Sequence, residues 1–330
     1  MNVAAIDIGT NSVRLLITDA RGGELVREME ITRLGQGVDK ARALGRDAIA
    51  RTLSVLARYA SSLRAHGIDT SPRARGTIAT EPAPGIDTSP RAAARETGQR
   101  SRIRITATSA ARDASNREAF FQEVEKLFGQ PPELLSGEDE AKLSFSGATQ
   151  GIDTQEGPFL IFDIGGGSTE FAFGTHQPES FISVDMGGVR VTERFLSSDP
   201  PTPEEMSTAR SFVCDQLERV ARVVPTAQAR TWVGLAGTVT SCAAYVLGLD
   251  TYDPERTHGF SLRPEHAERF LQELSRVPIV ARRALLLEPK RAEVIVGGAI
   301  VFDAIFEHFQ LSEVRVSERD ILDGLAASLR

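Results

Sequence analysis

The 330-residue chain carries one short pattern twice, DIGTNSVRLLI beginning at Asp7 and DIGGGSTEFAF beginning at Asp163. Each copy is an apolar run ending in Asp-Ile-Gly, a turn of small and polar residues, and a second apolar run. Such a pattern reads as two strands joined by a tight turn. Two copies about 156 residues apart suggest two pseudo-equivalent α/β domains facing each other across a cleft.

Local patterns between the copies fit that plan. Asp47 to Arg64 places Ile49, Leu53, Leu56 and Leu63 near helical spacing, Ile103 to Thr108 reads as a strand, and Asn116 to Phe128 as a helix. Pro131-Pro132 punctuates the chain, so the domains are expected at 1–130 and 131–330, with a C-terminal helix at about 312–330 returning to the first. Glu138 to Thr149 reads as a helix, with Ser136 and Asp139 suited to cap it. The octapeptide GIDTSPRA occurs at Gly67 and again at Gly85 within a Pro- and Arg-rich stretch, so about 69–101 is expected to be a disordered surface insertion.

Composition narrows the function. With 38 Lys+Arg against 45 Asp+Glu the net charge is −7, which argues against wholesale binding of nucleic acid or of an anionic membrane. Cys214 and Cys242 lie in helical patterns with no metal-ligand spacing, and no long apolar segment or export signal is evident, so a cytoplasmic setting is expected.

Three turns could hold phosphate. Gly165, Gly166 and Gly167 with Ser168 and Thr169 gather bare N–H groups and hydroxyls, and Asp163 and Glu170 on either side are hard oxygen ligands suited to magnesium. A plain hairpin turn is the alternative. Asp7, Thr10, Asn11 and Ser12 repeat the arrangement in the first copy. Gly237 and Thr238 fall where an apolar run meets a helical one, which favours an anion at a helix N-terminus; a cap by Thr238 or Ser241 is the alternative.

In order along the chain, AAIDIGTNSVRLLITD, ITATSAARDASN, LLSGEDEAKLSF, FDIGGGSTEFAFG, VDMGGVRVTERF and GLAGTVTSCAAY resemble the exopolyphosphatase/guanosine pentaphosphatase family of the actin, Hsp70 and sugar-kinase superfamily. The resemblance implies two ribonuclease H-like domains around a central cleft and magnesium-dependent attack of water on a terminal phosphate, with manganese as a substitute ion. It implies that Glu140 is the catalytic base, that Arg112 contacts phosphate, and that Asp7, Asp163 and Glu170 surround the metal. For Arg112 an ion pair with Asp113 or Glu118 is the alternative. For Arg190 an interdomain role and phosphate contact stand equal, and Arg14 reads as structural.

The implied substrate is inorganic polyphosphate, cleaved from the end to release orthophosphate, or guanosine pentaphosphate. Longer family members carry further C-terminal helical domains, so short polyphosphates are the expected preference here. A homodimer is the expected assembly. A polyphosphate or nucleotide sensor without catalysis, and a small-molecule kinase on the same superfold, are the competing readings. Glu140, Asp163 and Glu170 argue against a sensor, and the Glu140 segment argues against a kinase.

Overall fold

The computed structural model describes residues 1–71 and 102–330. Apart from Asp69 to Ser71, the segment 69–101 expected to be disordered, with most of the duplicated octapeptide, lies outside the described residues.

The first sheet is built from β1 (Val3–Ile8), β2 (Ser12–Thr18), β3 (Glu24–Ile31), β4 (Ile103–Ala107) and β5 (Glu133–Leu134), in the order β3-β2-β1-β4-β5. The second contains β6 (Phe159–Ile164), β7 (Thr169–Gly174), β8 (Pro178–Val184), β9 (Thr231–Leu235), β10 (Ser261–Leu262) and β11 (Val314–Val316), in the order β10-β11-β9-β6-β7-β8. Each sheet begins with a three-stranded antiparallel meander and adds parallel strands on the other side of its first strand, the second sheet ending in β10 antiparallel to β11. This is the paired α/β architecture that the duplicated motif implied, in the ribonuclease H-like form that the family resemblance implied. The first sheet runs past Pro131-Pro132, because β5 at 133–134 pairs with Thr106 and Ala107 of β4.

The helices are α1 (Val38–Ala41), α2 (Arg46–Ala65), α3 (Ser109–Asp113), α4 (Arg117–Phe128), α5 (Gly137–Ala148), α6 (Gly188–Phe195), α7 (Pro203–Val223), α8 (Ala236–Val246), α9 (Pro254–Thr257), α10 (Pro264–Ser275), α11 (Ile279–Arg282), α12 (Ile295–His308) and α13 (Ile321–Ala327). Of the expected terminal element at 312–330, residues 314–316 pair in the second sheet and only α13 is helical. Among the described residues no helix is long and apolar enough to cross a membrane.

Strand periodicity decides which side chains reach the cleft. Ala4, Ile6 and Ile8 of β1, with Val13, Leu15 and Ile17 of β2, bury against α2 and α4. Ala5 and Leu16 face the other way, onto Ile321, Leu322 and Leu325 of α13. In β6, Leu160 and Phe162 join the large core around α7, α8, α10 and α12, whereas Phe159 and Ile161 pack on Ala141, Phe145 and Ala148 of α5. Asp7 therefore shares the α13 side of its sheet and Asp163 the α5 side of the other. Helix α5 leaves the first sheet to lie on the second, and α13 makes the reverse crossing. Burying the carboxylates where the two helices meet brings the faces of both sheets to one place.

Candidate active site

A cleft of about 970 Å³ separates the sheets, lined by both Asp-Ile-Gly turns and by the Gly-Leu-Ala-Gly-Thr turn that opens α8. The first two turns close in the same way: Gly9 N–H donates to the Ser12 carbonyl at 2.9 Å and Gly165 N–H to the Ser168 carbonyl at 3.0 Å. They also touch. A Cβ on Gly166 would come within 2.9 Å of Thr10 Cβ, and one on Gly167 within 3.0 Å of Thr10 Oγ1, so bare glycines let the domains meet at the phosphate turns. Hairpin turn and candidate phosphate loop are thus the same feature.

Cross-strand register sets the charged centre. Asp7 pairs with Arg14 across the first hairpin and Asp163 with Glu170 across the second. Arg14 donates to Asp7 Oδ2 from Nη2 at 2.7 Å and from Nε at 3.2 Å, and its Nη1 donates to Asp320. Ser144 Oγ donates to Asp163 Oδ2 at 3.0 Å and Ser183 Oγ to Glu170 Oε1 at 2.7 Å. Asp7, Glu140, Asp163, Glu170 and Asp320 are all buried. Sequence reasoning places neither Arg14 nor Asp320 in the site; the alternation that sets Arg14 beside Asp7 is the one signal that points to it.

Glu140 lies in the first turn of α5, whose start is fixed by Ser136: its Oγ accepts from Asp139 N–H at 3.1 Å and its hydroxyl donates to Asp139 Oδ2 at 2.7 Å. Glu138 pairs outward with Lys142, leaving Glu140 as the first-turn carboxylate that lines the cleft. Arg112 Nη1 donates to Glu140 and, at 2.9 Å, to the Leu135 carbonyl. Arg112 therefore stands behind Glu140, outside the cleft lining. The alternative partners read from sequence are engaged elsewhere: Asp113 with Arg190 at 2.5 Å, and Glu118 with Arg117 at 3.2 Å.

Burial and the charge of Glu170 push Asp163 up to about 7. Burial raises Asp7 and Glu170, and burial with the Glu170 charge raises Glu140 well above the carboxylate range. Among the described residues the five buried carboxylates have Arg14 and Arg112 as paired cations, with Arg27 acting on Asp320 from further off. Excess negative charge carried by hard oxygen donors is what a divalent cation would cancel, so Asp7, Asp163 and Glu170 fit such an ion by chemistry. Among the described residues no three His, Cys, Asp or Glu side chains are grouped so as to hold a metal ion by themselves, so an ion here would need water and substrate oxygens as well. Magnesium suits such an open arrangement, since it keeps several waters and shares substrate phosphate oxygens.

The remaining sequence candidates divide. Thr10, Asn11, Ser12, Gly165, Gly166, Gly167, Ser168, Gly237 and Thr238 line the cleft. Thr169 does not: it is fully buried and its hydroxyl donates to the Met186 carbonyl at 2.7 Å. No side chain caps α8, so the N–H groups at its start are not taken by Thr238 or Ser241. Over this turn lies Arg291, whose guanidinium occupies the space a side chain on Gly237 would need. Burial works against the charge of Arg291, and among the described residues nothing forms an ion pair with it. Its position 54 residues beyond Gly237 hides it from sequence reasoning.

Arg190 fastens the two domains. Its Nε donates to the Gly167 carbonyl at 2.7 Å, and its terminal nitrogens to Asp39 on α1, to Asp113 Oδ2 on α3 at 2.5 Å and to Ser109 Oγ at 3.3 Å. Of the two roles read from sequence, the interdomain one is what these contacts describe. Cys214 and Cys242 are free thiols.

The model of the Ppx/GppA phosphatase family matches residues 92–329. The chain is 39% identical to exopolyphosphatase 2 of Mycobacterium tuberculosis over 344 aligned positions, 99% of this chain and 98% of that one. A crystal structure of an exopolyphosphatase-like protein has a TM-score of 0.86 at 33% identity, covering 99% of this chain and 98% of its own. The Aquifex aeolicus member of the Ppx/GppA family has a TM-score of 0.74 at 29% identity, over 100% and 97% of the two chains. The chain belongs to the Ppx/GppA phosphatase family.

Proposed function

We propose that the protein is an exopolyphosphatase that hydrolyses the terminal phosphoanhydride of inorganic polyphosphate and releases orthophosphate, favouring short chains. The observation that carries this reading is Glu140. It is a buried carboxylate held by Arg112 on the wall of a cleft whose other walls are three glycine-bearing turns.

Hydrolysis needs a water aligned with the scissile bond, a base for its proton and neutralised phosphate oxygens. Glu140 orients the attacking water and takes its proton. Gly165 to Ser168 and Thr10 to Ser12 hold the terminal phosphoryl group through N–H groups and hydroxyls, and the α8 turn with Arg291 holds phosphates further along the chain. Arg112 keeps the Glu140 carboxylate aimed while leaving one side open to the cleft. Magnesium, held by Asp7, Asp163 and Glu170 when bound, supplies charge neutralisation of the phosphate oxygens. Binding groups this local reconcile a polyanionic substrate with a net charge of −7.

A second reading, removal of the 5′ terminal phosphate of guanosine pentaphosphate, draws on one feature that polyphosphate leaves unused. Beyond Arg291 the cleft wall is apolar, formed by Ala244, Leu249, Leu285, Leu286 and Leu287 with Tyr245 and Tyr252. A nucleoside could bury against it. Phosphate release from short polyphosphate, long polyphosphate and guanosine pentaphosphate, measured side by side with magnesium, separates the readings. The highest kcat/KM is expected on short polyphosphate. A preference for guanosine pentaphosphate would favour the second reading, and release from none of the three would overturn both.

A further inference from the structure

Asp320 lies where the chain returns from the second sheet to the first, between β11 and α13. Its carboxylate has two jobs on two oxygens: Oδ1 accepts from Leu322 N–H at 2.9 Å, starting α13, and Oδ2 accepts from Arg14 Nη1. Its own N–H donates to Asp323 Oδ2 at 2.9 Å, and Asp323 Oδ1 accepts from Arg27 at 2.8 Å. The backbone is held as firmly. A Cβ on Gly147 of α5 would strike the Asp320 carbonyl oxygen, and one on Gly324 of α13 would strike the Leu143 carbonyl, so two glycines let the helices cross in contact at this point.

The effect is on how Arg14 meets Asp7. A guanidinium beside a carboxylate ordinarily takes both oxygens in a fork. Here Nε and Nη2 both go to Asp7 Oδ2, while Nη1 is drawn away to Asp320. Among the described residues Asp7 Oδ1 is left with one long contact, from Thr106 Oγ1 at 3.4 Å.

We propose that Asp320 is a positioning residue for the cation site: by anchoring Nη1 of Arg14 it holds the Nε/Nη2 edge of the guanidinium on Asp7 Oδ2 alone and keeps Oδ1 available to a divalent cation. This rests on the reading of Asp7, Asp163 and Glu170 as cation ligands. Without Asp320, Arg14 is free to fork onto Asp7 and compete with the ion.

Manganese serves as the probe. Full-length, metal-free protein is titrated with Mn²⁺ and the free ion followed by electron paramagnetic resonance for the wild type, D163N, D320N, D320S, R14Q and R14Q/D320N. Asn and Ser retain a helix-starting acceptor without the charge, so melting temperatures should stay near the wild type. D320N and D320S are expected to bind Mn²⁺ about tenfold more weakly, and that loss to vanish when D320N is compared with R14Q already in place. The Mn²⁺ concentration for half-maximal phosphate release should rise in parallel, with kcat recovered at saturation.

Wild-type affinity in folded D320N and D320S, with D163N weakened, would overturn the role of Asp320 alone. So would a tenfold loss that persists in the R14Q background, or a failure of both Asp320 variants to fold, which would assign the residue to folding. Wild-type affinity in D163N would instead overturn the cation-site reading on which it stands.

Discussion

Glu170 occupies, opposite Asp163 in the second hairpin, the register position that Arg14 occupies opposite Asp7 in the first. Duplicated turns thus carry opposite charges at equivalent places. The first hairpin balances its aspartate internally, whereas the second places two carboxylates side by side. The pseudo-symmetry of the fold is broken by charge at the position where the substrate and its cation would meet.

That unbalanced pair has a measurable cost. Asp163 retains its proton to about pH 7 when folded but loses it near 3.8 when unfolded. Between these values the unfolded chain binds fewer protons, so stability falls as pH rises through this window and levels off above it. Each step of one in pH across the window removes at most about 1.4 kcal/mol, so the whole contribution is on the order of a few kcal/mol. Metal-free protein is expected to melt at a lower temperature near pH 8 than near pH 6, and D163N should flatten the dependence. Identical profiles for wild type and D163N would contradict it.

Arg190 is nearly inaccessible, with 6% of its side chain exposed, and satisfies Asp39, Asp113 and the Gly167 carbonyl together. Replacing it removes the close cation from Asp113 and leaves Asp39 to Arg194, whose Nε and Nη2 each donate to it at 2.6 Å. R190A should destabilise the protein by about 2–3 kcal/mol in urea unfolding, less than a fully uncompensated buried charge would cost. R190K should recover only part of this, because an ammonium cannot reproduce a planar fork with three separate acceptors. Loss of less than about 1 kcal/mol in R190A would show that the latch contributes little.

Gly237 and Arg291 make a more local case. A methyl group at Gly237 occupies the place of the guanidinium, so G237A should displace Arg291 while α8 itself gains helix propensity. KM for polyphosphate is expected to rise about tenfold, or about 1.4 kcal/mol, with kcat less affected. An unchanged KM would remove Arg291 from phosphate binding.

The neighbouring Ala236 has φ 66°, a left-handed backbone that disfavours a side chain. A236G should raise stability by roughly 1 kcal/mol by relieving that strain. Thermal unfolding checks this, and a lower melting temperature would contradict it.

What could be read in the sequence was local. The two Asp-Ile-Gly turns and the Ser136 start of α5 each lie within a dozen residues, and all reappear in the structure. Arg190 meeting Asp39, Arg14 meeting Asp320 and Arg291 covering Gly237 span 151, 306 and 54 positions, and only the tertiary crossing of α5 and α13 and the closing of the cleft create them. Thr169 shows the opposite limit: its place in a polar turn suggested phosphate binding, but strand alternation turned its hydroxyl to Met186.

The most direct measurement is phosphate release from short polyphosphate by E140Q at saturating magnesium, alongside thermal unfolding and substrate binding. Gln keeps the shape of the side chain and can accept from Arg112, but it cannot take a proton from water. Activity is expected to fall about 10²–10⁴-fold, with binding retained and the fold intact. A folded E140Q enzyme with wild-type turnover would contradict the role of Glu140 as the base.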